Sequence, residues 1–286
     1  MEEYECDGVR IAYLRRGESG PPVVMLHHAG AAHVVWMPQI NALAGQYRVY
    51  ALDLPGFGSS AKNLTDDPAG GFTLARYTEL IHRFLVEHEL TDVSLIGNCL
   101  GGAITLNTTR QHPELIRAAV AMNPLTESTV LHGRLGPAAR LDRAAPEAVI
   151  QALEHWHTPR WLARATVRYW FTRRRAFRES PYTGALSAGY PAKSLLRVIR
   201  DLSSFAALDD WPDRDGLPPI CTIWGTRNRV LSAAAGRALN DRLRPDRAEY
   251  IDDGGHVPML EQAAQVTAIL TEFLSAARVD KTDHAH

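Results

Sequence analysis

Apolar residues along the chain fall into two rhythms. Short runs at Val23–Leu26, Tyr47–Leu52, Val93–Ile96 and Ile116–Met122 have the character of strands buried on both faces, and the first of them is unbroken. Between them the spacing lengthens. Trp36–Ala44 reads as a helix, and Thr73–Glu89 carries Leu74, Tyr77, Leu80, Ile81, Phe84 and Leu85 at helical spacing with charges between. A small-residue segment from Gly101 to Thr109 continues helically towards His112-Pro113-Glu114. Ahead of all these, Cys6–Arg16 alternates around Asp7-Gly8 and predicts an antiparallel hairpin at a sheet edge. The order strand, helix, strand, helix predicts an α/β fold with a doubly wound, mostly parallel sheet.

From about Pro124 to Phe205 the pattern changes. Buried-strand runs disappear, and arginine, tryptophan and helical periodicity take over at Ala148–His157 and Arg160–Arg175. The sheet pattern returns at Pro218–Gly225 and Ala248–Ile251, followed by an amphipathic helix over Gln262–Ala277. The expected organisation is a core formed by 1–123 and 206–279, a helical insertion over 124–205, and a disordered tail over 280–286.

Composition narrows the function classes. At 286 residues and 45% hydrophobic, the chain can bury one large core. Its net charge of −1, with both signs interspersed, argues against a nucleic-acid or polyanion partner. The acidic start Met1-Glu2-Glu3 leads to no long apolar segment, which predicts a cytoplasmic protein without membrane association. Cys6, Cys99 and Cys221 are widely spaced, with no CxxC, so neither a disulfide framework nor a metal site is indicated. No Gly-x-Gly-x-x-Gly follows the early strands, and no cofactor is expected.

The chemistry concentrates at Leu95-Ile96-Gly97-Asn98-Cys99-Leu100-Gly101-Gly102. Strand, tight turn and helix meet there, with Cys99 at the apex in the spacing Gly-x-Cys-x-Gly. A nucleophile on so sharp a turn needs neighbours without bulk at minus two and plus two. The turn also aims the Leu100 N–H, at a helix start, towards an oxyanion on any substrate attacked by Cys99. This stretch resembles the nucleophile elbow of the α/β-hydrolase family, with cysteine in place of the commoner serine.

Three further segments carry the same resemblance, in the family's order. His27-His28-Ala29-Gly30 follows the third strand, Asp53-Leu54-Pro55-Gly56-Phe57-Gly58-Ser59-Ser60 follows the fourth, and Gly255-His256-Val257-Pro258-Met259-Leu260-Glu261 follows the last. The resemblance implies an α/β-hydrolase fold whose insertion is a helical cap over the active site. It implies Cys99 as nucleophile, His256 as general base and acid, and the N–H groups of Ala29 and Leu100 as the oxyanion hole. In the family an aspartate stands third after the glycine that ends the strand before the last; here that residue is Asn228. An asparagine could orient His256 by accepting its N–H through the side-chain oxygen. Alternative orienters are Glu127 and Asn123. His28, where the family has glycine, Asn98, Glu127 and Trp170 are candidates for substrate contact.

Cysteine ionises more readily than serine, and a thiolate–imidazolium pair with His256 is expected at such a site. An acyl-cysteine is a thioester, reactive towards amines, thiols and water. The expected activity is therefore acyl transfer: an acyltransferase, cyclase or thioesterase acting on a small-molecule ester or thioester in secondary metabolism. Gly-Asn-Cys-Leu-Gly-Gly is similar to the elbows of dienelactone hydrolases and polyhydroxyalkanoate synthases. Arg173-Arg174-Arg175 is either a solvated helix face or a cluster for the phosphates of a coenzyme A or carrier-protein thioester. The other readings are a C–C bond-cleaving or lyase-type hydrolase without an acyl intermediate, and a catalytically silent ligand-binding member of the fold.

Overall fold

The computed structural model describes residues 1–61, 71–146, 148–149, 158–188, 191–211 and 214–279. Its centre is one sheet of eight strands: β1 (Glu2–Cys6), β2 (Val9–Arg16), β3 (Pro22–Leu26), β4 (Arg48–Leu52), β5 (Val93–Asn98), β6 (Ile116–Met122), β7 (Ile220–Gly225) and β8 (Arg247–Ile251). They lie in the order β1-β2-β4-β3-β5-β6-β7-β8. β1 and β2 form the expected antiparallel hairpin, closed by Asp7 and Gly8 at positive φ, and β2 pairs antiparallel with β4. Every later pairing is parallel.

Successive residues of a strand face opposite sides, so a run buried on both faces must meet helices on both. Val24 and Leu26 of β3 pack with Leu80 and Phe84 of helix α2 (Leu74–Glu87) and Ile104 of helix α3 (Leu100–Gln111). Val23 and Met25 pack on the other side with Ile40 and Leu43 of helix α1 (Met37–Leu43) and with Leu270 and Leu274 of the last helix, Ala263–Val279. This two-sided core fixes the strand ends, and the parallel strands point their carboxyl ends to one rim, where ligands bind in such sheets.

Between β6 and β7 the described residues form helices and no strand. The helix expected over Arg160–Arg175 is instead two, Arg160–Trp170 and Arg174–Glu179. The break has a cause. Glu261 accepts the backbone N–H groups of Thr172 and Arg173 at 2.7 and 2.9 Å, drawing those donors out of the helix ladder. The expected helix over Ala148–His157 and the tail 280–286 lie outside the described residues, save Ala148 and Val149, which are helical. Among the described residues no helix is long and apolar enough to cross a membrane.

Candidate active site

β5 runs into α3 through a single residue, Cys99, with φ 53° and ψ −109°. This conformation is strained for any side-chain-bearing residue. Backbone bonds hold it: Cys99 N–H donates to Met122 at 2.9 Å, and its carbonyl accepts from Ala103 at 2.9 Å and Leu125 at 3.0 Å. The flanking glycines are sterically required. A Cβ on Gly97 would stand 2.1 Å from the Gly101 carbonyl oxygen, and one on Gly101 would stand 2.2 Å from that of Leu26.

The turn sets the Cys99 sulfur between two backbone donors, the N–H groups of Leu100 and Ala29. Ala29 is placed by the loop after β3. His27 locks that loop, bonding His28 O through Nδ1 at 2.8 Å and accepting the Leu54 N–H on Nε2 at 2.8 Å. Asp53 ties the neighbouring loop by accepting the N–H groups of His33 and Ser59 at 2.6 and 2.7 Å. The hydroxyl that stitches this loop belongs to Ser60, which donates to Asp53 O and accepts from the Ala12 N–H, whereas Ser59 contributes only its backbone.

His256 stands on the loop after β8 and is buried. Its carbonyl accepts from the side-chain amides of Asn98 at 3.1 Å and Asn123 at 3.5 Å, and its N–H donates to Trp170 O at 2.9 Å. The ring Nδ1 is buried without a partner, and the His28 ring meets the His256 ring edge-on at 5.2 Å between centroids. Burial favours the neutral form of both Cys99 and His256. The Cys99 thiol is pushed up to about 12 and the His256 imidazole down to about 3, both chiefly by desolvation. This desolvation opposes the thiolate–imidazolium pair expected from the sequence.

Cys99 and His256 open onto a cavity of about 540 Å³. Ala29 and Leu231 line it from the sheet core, and Val130, Trp170, Val198 and Ile199 line it from the helices between β6 and β7. Among the described residues no Asp, Glu, Lys or Arg side chain contributes to the wall. Such walls, mostly apolar with a few polar groups, are those of a small-molecule pocket. Among the described residues no group of three or more His, Cys, Asp or Glu side chains could hold a metal ion.

Residues 21–263 match the model of the alpha/beta hydrolase fold. The chain belongs to that family. This alpha/beta hydrolase is 26% identical over 281 residues to the pimeloyl-[acyl-carrier protein] methyl ester esterase of Aeromonas hydrophila, covering 91% of this chain and 98% of that one. It is 34% identical over 139 residues to the 2-hydroxy-6-oxo-6-(2'-aminophenyl)hexa-2,4-dienoic acid hydrolase of Metapseudomonas resinovorans, a stretch that spans 47% of this chain and only 46% of that protein's length. Among solved structures, a bacterial membrane phospholipase A superposes with a TM-score of 0.78 at 22% identity, covering 97% of this chain and 86% of that one. These relatives and neighbours are hydrolases and esterases of one fold.

Within this alpha/beta hydrolase fold, several expected roles are redistributed. Asn228 does not reach His256 through its oxygen: Oδ1 accepts the N–H groups of Val230 at 2.9 Å and Leu231 at 3.1 Å, which occupies both lone pairs. That leaves the amide nitrogen as the free end, buried without a partner. Glu127 pairs with Arg143 at 2.7 Å and does not line the cavity, so it neither orients His256 nor meets substrate there. Asn123 holds the His256 backbone, and its Oδ1 accepts the Gly225 N–H at 3.0 Å. Asn98 is wholly buried and spends its amide on His256 O, so it too makes no substrate contact. His28 sits behind the wall, edge-on to Trp170 at 4.5 Å, with both ring nitrogens unpartnered and its imidazole held well below its ordinary pKa by burial. Trp170 alone of the four contact candidates lines the cavity.

One residue of the quoted motifs carried no expectation and has a clear role. Glu261 accepts from the Gly255 N–H at 2.9 Å as well as from Thr172 and Arg173, so one carboxylate joins the histidine loop to the helices above it. Its signal was present, three residues after the proline that follows His256.

Proposed function

We propose that this hydrolase transfers the acyl group of a small-molecule ester or thioester, through a Cys99 acyl-enzyme, to water or to a second nucleophile. The observation that carries the reading is the convergence of the Ala29 and Leu100 N–H groups on the Cys99 sulfur, at the floor of an apolar cavity that His256 also lines. Donors so placed are fixed before reaction and lie beside the point where a carbonyl oxygen gains charge as the sulfur attacks.

The chemistry starts from a neutral pair. As sulfur bonds the carbonyl carbon, the S–H proton passes to His256, so charge separates only while the C–S bond forms. Collapse of the tetrahedral intermediate breaks the bond to the leaving group, which takes that proton from His256. The acceptor then loses its proton to His256, attacks the acyl-cysteine, and frees the sulfur, which recovers the proton. No carboxylate neutralises the transient imidazolium through Asn228, and thiol acidity makes this tolerable where a serine would need more help. The apolar wall supports an acyl chain rather than a charged group on the acyl side.

Intact-protein mass spectrometry after brief exposure to acyl thioesters and activated esters tests the reading. The expected result is an acyl increment on the parent protein, absent in Cys99→Ala, whose decay on adding water, amines or thiols names the acceptor. No increment from any donor, with turnover that persists in Cys99→Ala, would overturn it. That outcome would support the second reading, C–C bond hydrolysis with His256 activating water. The neutral, deeply buried thiol and the likeness to the Metapseudomonas hydrolase favour this alternative.

A further inference from the structure

A second concavity lies on the helices between β6 and β7, and its walls are chemically opposite to those of the acyl cavity. Arg164, Arg168, Arg174 and Arg178 line a pocket of about 410 Å³ around the ring of Phe177, with no carboxylate among the lining residues. Arg164 and Arg168 stand over that ring at 5.1 and 5.9 Å, and Arg168 is further fixed by donating to Phe171 O at 2.6 Å. Among the described residues none of the four is ion-paired with an acidic side chain, whereas the adjacent Arg175 turns away and pairs with Glu179 at 2.8 Å. The three-arginine run singled out in the sequence is thus split, and only its middle member joins the cluster. Neighbouring charge works against Arg168: burial, Arg229, Arg174 and Arg178 all lower its pKa. Glu261, the acidic group that opposes them, already has both oxygens on backbone N–H groups.

Four like charges gathered on a chain whose net charge is −1 are a local arrangement, not a consequence of overall basicity. Planar guanidinium forks match the oxygens of phosphate. We propose that this pocket is an anion site for a small molecule bearing a di- or polyphosphate group. Its position bears on the reaction. At 100° per residue, Arg164 and Arg168 stand about 150° around the helix from the centre of Ala165, Thr166, Tyr169 and Trp170, which line the Cys99 cavity. One helix, about 10 Å across, therefore separates the anion site from the acyl site. The phosphates belong either to the acyl donor itself or to a separate phosphate compound.

Calorimetric titration of the intact protein with sodium pyrophosphate at low salt tests the site without reference to the acyl reading. Saturable binding is expected, weakened roughly tenfold by Arg174→Gln or Arg178→Gln and unchanged by Arg175→Gln, which removes the same charge nearby. No saturable heat, or equal weakening by Arg175→Gln, would overturn the proposal. The source is distinguished by activity, an arm that rests on the Cys99 reading. One acyl group is offered on coenzyme A and on N-acetylcysteamine, which lacks phosphates. Phosphates on the donor predict a roughly tenfold lower KM for the coenzyme A ester, lost in Arg174→Gln and competed by pyrophosphate. Equal KM values with pyrophosphate binding intact assign the site to a separate phosphate compound. Absence of turnover with both donors would count against the acyl reading alone, since the calorimetry still decides the site.

Discussion

The side-chain amide of Asn98 donates to the carbonyl oxygen of His256 at 3.1 Å, across 158 residues of chain. With the weaker bond from Asn123, it hangs the histidine loop from the ends of β5 and β6, next to the residue that carries the sulfur. Asn98→Ala leaves the buried His256 carbonyl with only the weaker Asn123 bond and is expected to cost about 1–3 kcal/mol in urea unfolding. Because the loop rather than the cavity wall is loosened, kcat should fall while KM changes little. Asn98→Asp, which sets a carboxylate against the carbonyl, should be worse on both measures.

The elbow predicts a sharp contrast among neighbouring glycines. Gly97→Ala and Gly101→Ala push a methyl group into backbone oxygens that cannot move independently of the sheet, and each should cost at least about 3 kcal/mol or abolish folding. Gly102→Ala brings its Cβ to 3.1 Å from the Met122 oxygen and from Pro124 Cα, tight but short of overlap, and should cost less than either. Chemical denaturation of the three variants checks the order.

Two buried imidazoles make stability depend on pH. His28 and His256 both have pKa values lowered by burial, so the unfolded chain takes up protons that the folded chain refuses. Stability is therefore full above about pH 6.5 and falls as pH drops below it towards His256's folded value of about 3. Melting temperature measured from pH 8 to pH 4 should decline. His28→Phe, which fills the site without nitrogens that lack partners, should flatten that decline, and an unchanged slope would refute the assignment.

Position 228 can be tested against position 99. Asn228→Ala removes the acceptor for two backbone N–H groups and should cost about 1–2 kcal/mol. Asn228→Asp keeps that turn and restores the family's charge. A serine nucleophile depends more on a charged orienter, so Cys99→Ser alone should lose at least about a hundredfold in kcat/KM, and Cys99→Ser with Asn228→Asp should recover at least about tenfold of it. Failure of the double variant to exceed the single one would separate the two departures.

What the sequence disclosed follows from the range of the forces involved. The strand-to-helix turn at Cys99 was legible because the two glycines it requires lie within five residues, Gly97 to Gly101, although the atoms that crowd Gly101 belong to Leu26, and strand runs were legible because burial on both faces leaves few polar positions. The helix break at Phe171 was not legible, since its cause is a carboxylate 89 residues away. Asn228 was found by position, but its bonding was misjudged: nearby N–H groups of its own turn claimed the oxygen first. The resting charge of Cys99 and His256 depends on how completely other elements cover them, which no local motif encodes.

That coverage has a consequence for life under oxidants. Peroxides attack thiolates far faster than thiols, and burial pushes the Cys99 thiol up to about 12, which disfavours the thiolate at neutral pH. A cysteine activated in advance by a permanent imidazolium partner would be exposed to sulfenic acid formation between turnovers. On the proposed mechanism the sulfur becomes nucleophilic only when a carbonyl sits in the cavity to receive it, so activity is expected to withstand hydrogen peroxide at concentrations that silence low-pKa cysteine enzymes.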